Sequence, residues 1–197
     1  MIIATGSSPN KLGLKDEDKF WSKGISSCAV CDGALYKKKN IVVVGGGDSA
    51  CEEALFLTKF SDVLLIHRGD SFPRASKIMV RRVLENPKIK IMYNTTIKEL
   101  RGELELRSIV LGTGEELKVD GLFYGLGLKP NVKIFKGIMK DADGYIKRGV
   151  FDEYSTEINM PGIFVCGDTH DKEYRQAIVA AGDGCKAALE AIKYLQK

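Results

Sequence analysis

The chain has 197 residues, 44% apolar and 28% charged, the profile of an ordinary globular protein of one or two domains, which excludes collagen-like, mucin-like and disordered classes. Thirty basic and 26 acidic residues leave a formal charge of +4, and no apolar run approaches the ~18 residues of a membrane span. The opening MIIATGSSPN has neither the basic start nor the long apolar stretch of a secretory signal. Five cysteines are too few for a disulfide scaffold, and their odd number leaves at least one unpaired. A reducing, cytoplasmic compartment is the expectation. Glycine is the compositional outlier, 21 of 197 residues, about 11% where ~7% is typical.

In chain order, Lys39-Asn40 leads into Ile41 to Val44, a β-branched run stopped by Gly45-Gly46-Gly47, which reads as a strand buried on both faces. Asp48 to Phe60 sets Ala50, Ala54, Leu55, Leu57 and Phe60 among helix formers and predicts a helix. Asp62 to His67 is a second buried strand, Lys77 to Leu84 a helix closed by Asn86-Pro87, and Ile89 to Tyr93 a third strand. Alternation over Ile97 to Leu111, and again over Leu117 to Tyr124, predicts a small antiparallel layer. Gly125 to Asn131 reads as punctuation where the parallel pattern stops. Ile163 to Cys166, Gly167-Asp168, a polar loop and a helix from about Arg175 to Leu195 complete the chain. There is no internal repeat. The βαβ order predicts an α/β fold, a doubly wound, Rossmann-like three-layer domain.

Gly45-x-Gly47-x-x-Ala50 directly follows a strand and opens a helix, where a dinucleotide fingerprint belongs. The first glycine permits the tight turn, the second lets backbone N–H groups approach a pyrophosphate, and the small third residue allows close helix–strand packing. A glycine turn without a ligand is the plain alternative. An NAD site places an acidic residue about 20 residues on; here that position holds His67-Arg68. Arginine suits a 2′-phosphate because its planar fork binds phosphate bidentately, and Arg74 and Lys77 add charge nearby, so NADP is favoured over NAD. Between His67 and Arg82, Arg68, Arg74, Lys77, Arg81 and Arg82 face Asp70 alone, an excess that equals that of the whole chain. One basic patch on a neutral background fits a small anion rather than a nucleic acid. A solvated helix face remains the other reading, above all for Arg81 and Arg82.

Cys28-Ala29-Val30-Cys31-Asp32 is the second chemical signal. Two thiols at this spacing can close a small disulfide ring and reopen it by exchange, with a thiolate as nucleophile. Asp32, next to the second sulfur, can give or take the proton. Half a zinc site is one rival, but there is no second CxxC, and the only other close pair is Cys166 with His170. Two unreactive structural cysteines are another. Cys51 and Cys185, in apolar helical contexts, read as small core residues. No metal is expected.

Cys28-Ala-Val-Cys31-Asp32-Gly33, Gly45-Gly-Gly47-Asp48-Ser49-Ala50 and His67-Arg68-Gly-Asp-Ser-Phe-Pro-Arg74-Ala75 resemble the motifs of low-molecular-weight thioredoxin reductases. Ile2-Ile3-Ala4-Thr5-Gly6 at the start and Gly167-Asp168-Thr169 with Tyr174-Arg175-Gln176-Ala177 near the end are similar too, in the same order. The resemblance implies an NADPH domain carrying the dithiol, inserted into a second, FAD-binding α/β domain. The expected division is 1–11 and 132–197 for the FAD domain and 12–131 for the NADPH domain. It implies that electrons pass from NADPH to FAD to the Cys28/Cys31 pair and then to thioredoxin. Cys31 would face the flavin, Cys28 would attack thioredoxin's disulfide, and Asp32 would be the general acid. Gly45, Gly47, Asp48, Ser49 and Ala50 would line the NADPH pyrophosphate, and His67, Arg68, Arg74 and Lys77 its 2′-phosphate end. Thr5, Gly6, Gly167, Asp168, Arg175, Gln176 and Ala177 would contact FAD. A homodimer is the family expectation.

Two departures qualify the likeness. Gly69 stands where the family's His-Arg-Arg motif has its second arginine, and Pro73 is one extra residue before Arg74. The phosphate is then held more weakly, or by Arg74 or Lys77 instead. The family's first FAD segment, with its own glycine fingerprint, precedes the stretch matched here, so this chain alone is expected to bind FAD poorly, to lack turnover, and to expose surface that segment covers. Rival readings are the reductase of a peroxiredoxin system and a non-catalytic NADP-binding or interaction module.

Overall fold

The computed structural model describes residues 1–151 and 153–197. Strands β1 (Ile2–Ile3) and β2 (Ser7–Pro9) open the chain. Helix α1 (Glu17–Phe20), strand β3 (Ile25–Ser26) and the one-turn helix α2 (Ala29–Asp32) follow. Next come β4 (Ile41–Gly45), α3 (Asp48–Leu57), β5 (Val63–Ile66), α4 (Lys77–Leu84), β6 (Ile89–Met92), β7 (Ile97–Arg101), β8 (Ser108–Leu111), β9 (Glu116–Lys118) and β10 (Gly121–Gly125). β11 (Leu128–Pro130), β12 (Phe164–Val165) and α5 (Ala177–Leu195) complete it. Two compact units result, one of residues Pro9–Gly127 and one joining Met1–Ser8 to Leu128–Lys197.

In the Pro9–Gly127 unit, a parallel sheet runs β3-β10-β4-β5-β6. Its side chains alternate between two cores, as the two-residue period of a strand requires. Ile41, Val43, Val63, Leu65 and Phe123 face Ala50, Ala54 and Leu57 of α3, with Val83 of α4. Val42, Val44, Ile66, Leu122 and Tyr124 face Ile97, Leu100, Ile109 and Leu111. Those last residues belong to a separate antiparallel sheet, β7-β8-β9. Helices therefore cover one face of the parallel sheet and a small β layer covers the other, in place of the second helical layer of a doubly wound fold.

The stretch Leu117 to Tyr124 does not lie wholly in the antiparallel layer expected of it. β9 ends at Lys118, and β10 enters the parallel sheet between β3 and β4. All five residues of β10 are buried, the pattern of a strand covered on both faces; β9 is largely exposed. Glu17 of α1 anchors the unit's first loop. Its carboxylate accepts from the Leu12 and Gly13 amides at 2.8 and 3.0 Å and from the Tyr124 hydroxyl at 2.7 Å.

In the other unit, β1 pairs in parallel with β12, Ile2 opposite Phe164 and Ile3 opposite Val165. Leu128–Pro130, read from sequence as punctuation, forms β11 and pairs with β2 in a two-stranded sheet; both strands are edges, where a proline's missing N–H is tolerated. Tyr154, Phe164, Cys166 and Ala187 form one core cluster, and Ile3, Val132, Ile146, Ile158 and Val165 another. Of the 19 residues of α5, Asp183 and Ala187 are buried. Ile178, Leu189, Ile192 and Leu195 are exposed, and so is Cys185. The reading of Cys185 as a core residue is therefore wrong: an apolar helical neighbourhood does not reveal which face of the helix has a neighbour. Among the described residues no helix is long and apolar enough to cross a membrane.

Candidate functional site

Cys28 and Cys31 are joined as a disulfide, their Cα atoms 5.3 Å apart. β3 delivers the chain to this point, and Cys28 caps α2, its sulfur accepting from the Cys31 amide at 3.1 Å. A one-turn helix is marginal on its own; here side chains hold both ends. The Ser26 hydroxyl accepts the Cys28 amide at 3.1 Å and donates to Asp32 Oδ2 at 2.6 Å. The Glu53 carboxylate, reaching over from α3, accepts the Ala29 amide at 2.8 Å. Gly33 lets the turn lie against the end of α3, since a Cβ there would come within 3.0 Å of Leu57 and Phe60. Cys31 is exposed, while Cys28 and Asp32 are half-buried. Ser26 and Glu53 were not singled out from the sequence. The available signals were a hydroxyl two residues before the first cysteine and an acid inside the core-facing Ala50–Ala54 stretch.

At the C-terminal end of β4 the chain turns through Gly45-Gly46-Gly47 into α3. A Cβ on Gly45 would meet Gly125 O at 2.3 Å and Ala50 Cβ at 2.6 Å; one on Gly46 would strike the His67 ring at 2.1 Å. Over Gly47 the nearest atom is Arg74 O, at 3.8 Å, so the backbone is open on that side. In the first turn of α3 the Ala50 and Cys51 amides bond back to Gly47 O at 3.1 and 3.2 Å; the Asp48 and Ser49 amides before them precede the first intrahelical acceptor, which makes this opening suited to a phosphate. Ala50 is fully buried; it sets the packing beneath the turn and does not line the opening.

Two residues read from the sequence as ligand contacts spend their polar atoms on the protein. His67 Nδ1 donates to Gly45 O at 3.0 Å, while its ring stacks on Phe72 at 4.9 Å. Asp48 Oδ1 accepts the Ser76 amide at 2.7 Å. Together with a bridge between Gly47 and Arg74, these contacts tie the basic loop to the glycine turn. Arg68, Arg74 and Lys77 are exposed, and among the described residues no ion pair engages them. The three cations and Ser49 thus lie along the segments that border the opening.

In the other unit, the start of the chain meets the 167–169 turn among residues expected around a flavin. The Gly6 amide donates to Thr169 Oγ1 at 2.7 Å, Thr5 Oγ1 donates to Asn131 O at 2.7 Å, and Ser7 Oγ donates to Asp168 Oδ2 at 3.1 Å. Gly167, at φ 68°, sits against Ala180 of α5. Gln176 caps α5 and Ala177 is its first residue. Arg175 has a left-handed backbone, φ 48°. Its amide and those of Glu173 and Tyr174 point at the Asp171 carboxylate. Burial raises the Asp171 pKa, yet the three amides outweigh it and hold the carboxyl below its ordinary value.

The remaining cysteines separate by environment. Burial, with Asp48 and Glu52, pushes the Cys51 thiol up to about 11, so it is protonated at neutral pH. The buried Cys166 thiol faces Ile3 O at 3.8 Å, and His170 Nδ1 faces Ile146 O at 3.3 Å. Among the described residues no group of three or more His, Cys, Asp or Glu side chains is placed to hold a metal ion.

A redox-capable cysteine pair and a glycine turn open over Gly47 therefore share one unit. A profile of the pyridine nucleotide-disulphide oxidoreductase family matches residues 1–184. The chain belongs to that family. It is 46% identical over 203 residues to a thioredoxin reductase of Dictyostelium discoideum, covering 99% of this chain and 63% of the relative. It is also 46% identical over 213 residues to the mitochondrial thioredoxin reductase 1 of Arabidopsis thaliana, covering 100% of this chain and 56% of the relative. Among solved structures, the thioredoxin reductase of Giardia duodenalis superposes with a TM-score of 0.86 at 40% identity, covering 100% of this chain and 65% of that one. That of Streptococcus pyogenes MGAS5005 gives 0.86 at 36% identity, covering 99% and 65%. The chain thus spans less than two thirds of the length of these family members.

Proposed function

We propose that this chain carries the NADPH-binding and thiol-exchange parts of a thioredoxin-disulfide reductase. The observation that carries the reading is the disulfide-bonded Cys28–Cys31 turn packed on α3, the helix that begins at the open glycine turn. The Gly47 backbone and the first amides of α3 fit a pyrophosphate, and Arg68, Arg74 and Lys77 fit a 2′-phosphate. For FAD the fit is partial. Gly167, Asp168 and the start of α5 provide backbone and a carboxylate, but of the two runs with this glycine spacing only Gly45-x-Gly47-x-x-Ala50 joins a strand to a helix, the other, Gly182-x-Gly184-x-x-Ala187, lying inside α5.

NADPH and FAD, when bound, supply the two electrons that open the Cys28–Cys31 bond. The rest is thiol exchange among the chain's own groups. The Cys28 thiolate attacks one sulfur of thioredoxin's disulfide and displaces the other as a thiolate. The Cys31 thiolate then attacks Cys28, re-forming the internal disulfide and releasing dithiol thioredoxin. Asp32, held toward the turn by Ser26, hands protons between sulfur and solvent. A cytoplasmic homodimer with thioredoxin as partner is part of the same proposal.

Two measurements test it. The chain is reduced with dithiothreitol, freed of reductant and mixed with oxidised thioredoxin. It should transfer one pair of electrons per molecule, and Cys31→Ser should trap a mixed disulfide through Cys28. Arg68→Ala should weaken NADPH binding about tenfold or more, the worth of a charge-assisted hydrogen bond, and leave NADH binding unchanged. No electron transfer to thioredoxin, or equal loss of both nucleotides, overturns the reading.

A further inference from the structure

The dithiol turn carries a carboxylate where a reactive cysteine is usually given positive surroundings. Low thiol pKa values arise at helix N-termini and beside cations, because amide N–H groups and positive charge stabilise the thiolate. Here one amide, that of Cys31, points at Cys28 Sγ, 3.1 Å away. The amide next to Cys28 in sequence, that of Ala29, is taken by Glu53 Oε2 at 2.8 Å. Among the groups that titrate around the turn are Asp32 on α2, Tyr36 on the following 3-10 turn Gly33–Tyr36 and Glu53 on α3. Tyr36 is itself raised, by burial and then by Asp32, so a negative charge on Asp32 is felt across this turn.

We propose that Glu53 is a positioning residue of the dithiol: it fixes the α2 turn through the Ala29 amide, and its charge disfavours the Cys28 thiolate. The proposal rests on the exchange role given above to Cys28 and deepens it. A disulfide becomes a strong oxidant when its reduced form is stabilised. Glu53 acts in the opposite sense by destabilising the reduced, anionic form, which keeps the pair poised to give electrons away. A more basic Cys28 thiolate is also intrinsically more nucleophilic, although a smaller fraction of the thiol is ionised.

Two variants separate charge from structure. Glu53→Gln keeps an acceptor for the Ala29 amide and removes the charge; Glu53→Met removes both. The reduced chain is alkylated with iodoacetamide across pH, and modification of Cys28 is followed by mass spectrometry. In parallel, the disulfide is equilibrated with glutathione, two molecules of which reduce it and leave as glutathione disulfide. Removing one nearby charge should lower the Cys28 inflection by about one pH unit, the scale of a neighbouring-charge effect. At a pH above the parent's Cys28 inflection the disulfide should also become about tenfold easier to reduce in both variants, with the difference fading below the inflection. A purely structural Glu53 would leave Glu53→Gln like the parent and change only Glu53→Met, which overturns the proposal. If Glu53→Met does not fold, by circular dichroism, the Glu53→Gln profile alone decides. Neither readout uses NADPH, FAD or thioredoxin, so failure of the reductase reading and failure of this proposal are seen separately.

Discussion

Gly125→Ala probes the seam on which the glycine turn depends. A Cβ at Gly125 would lie 2.5 Å from Ala50 Cα, 2.7 Å from its Cβ and 3.0 Å from its N. None of these atoms is the end of a flexible side chain, so a rotamer change relieves nothing. Ordinary contact begins near 3.4 Å, and the first turn of α3 must retreat from β10 by about 0.9 Å to accommodate the methyl group. Overpacking of this kind costs roughly 1–3 kcal/mol, and the unyielding neighbours place the cost in the upper half, about 2–3 kcal/mol. At about 4 °C per kcal/mol for a unit of this size, the thermal midpoint should fall by roughly 8–12 °C. Differential scanning calorimetry reads that change. Isothermal titration reads the displacement of the turn as weaker NADPH binding, on the order of tenfold for about 1.4 kcal/mol. A midpoint within 2 °C of the parent, with unchanged affinity, would refute the packing described for Gly125 and Ala50.

Two further outcomes follow from the titrating groups. Asp171 has a folded pKa below its unfolded one, so its support of the 173–175 amides is full above the ordinary carboxylate value of about 4 and is lost as pH falls through the folded value. Amide exchange at Glu173, Tyr174 and Arg175 should therefore accelerate on acidification. Asp171→Ala should reproduce the loss at neutral pH, worth about 1–2 kcal/mol for a half-buried charged acceptor; unchanged protection in that variant would contradict the assignment. N-ethylmaleimide at pH 7.5 should modify exposed Cys185 rapidly and Cys51 only after unfolding; comparable rates at the two thiols would contradict their burial.

The β4–α3–β5 unit was legible because strands covered on both faces are written as unbroken apolar runs, and because α3 repeats small residues at helical spacing. The Lys77–Leu84 helix was legible too, with its Asn-Pro stop. The two-residue β3 and the one-turn α2 contain about one period of their own pattern, too little to show a repeat, and left no trace. The run from Leu117 to Tyr124 read as part of the antiparallel layer because alternation says nothing about which sheet a strand joins; that is decided by neighbours far away in the chain. Glu52 and Glu53 make the same point within the site. They are identical and adjacent in sequence, yet a helix turns 100° per residue, and only Glu53 is brought onto the dithiol turn. Composition located the chemistry at Cys28 and Cys31, but rotation about α3 chose the side chain that serves it.

The two ends of the Pro9–Gly127 unit lie side by side. The Asn10 amide donates to Gly127 O at 3.0 Å, and the Asn10 side chain donates to Leu126 O at 3.0 Å. A polypeptide whose first and last residues are hydrogen-bonded neighbours behaves as a cassette. It can be lifted out of one host loop and spliced into another with little closure entropy beyond that of the loop it replaces. Nucleotide turn, basic loop and dithiol travel together in that cassette, so a host scaffold would receive them as a set and need supply only two adjacent strand ends.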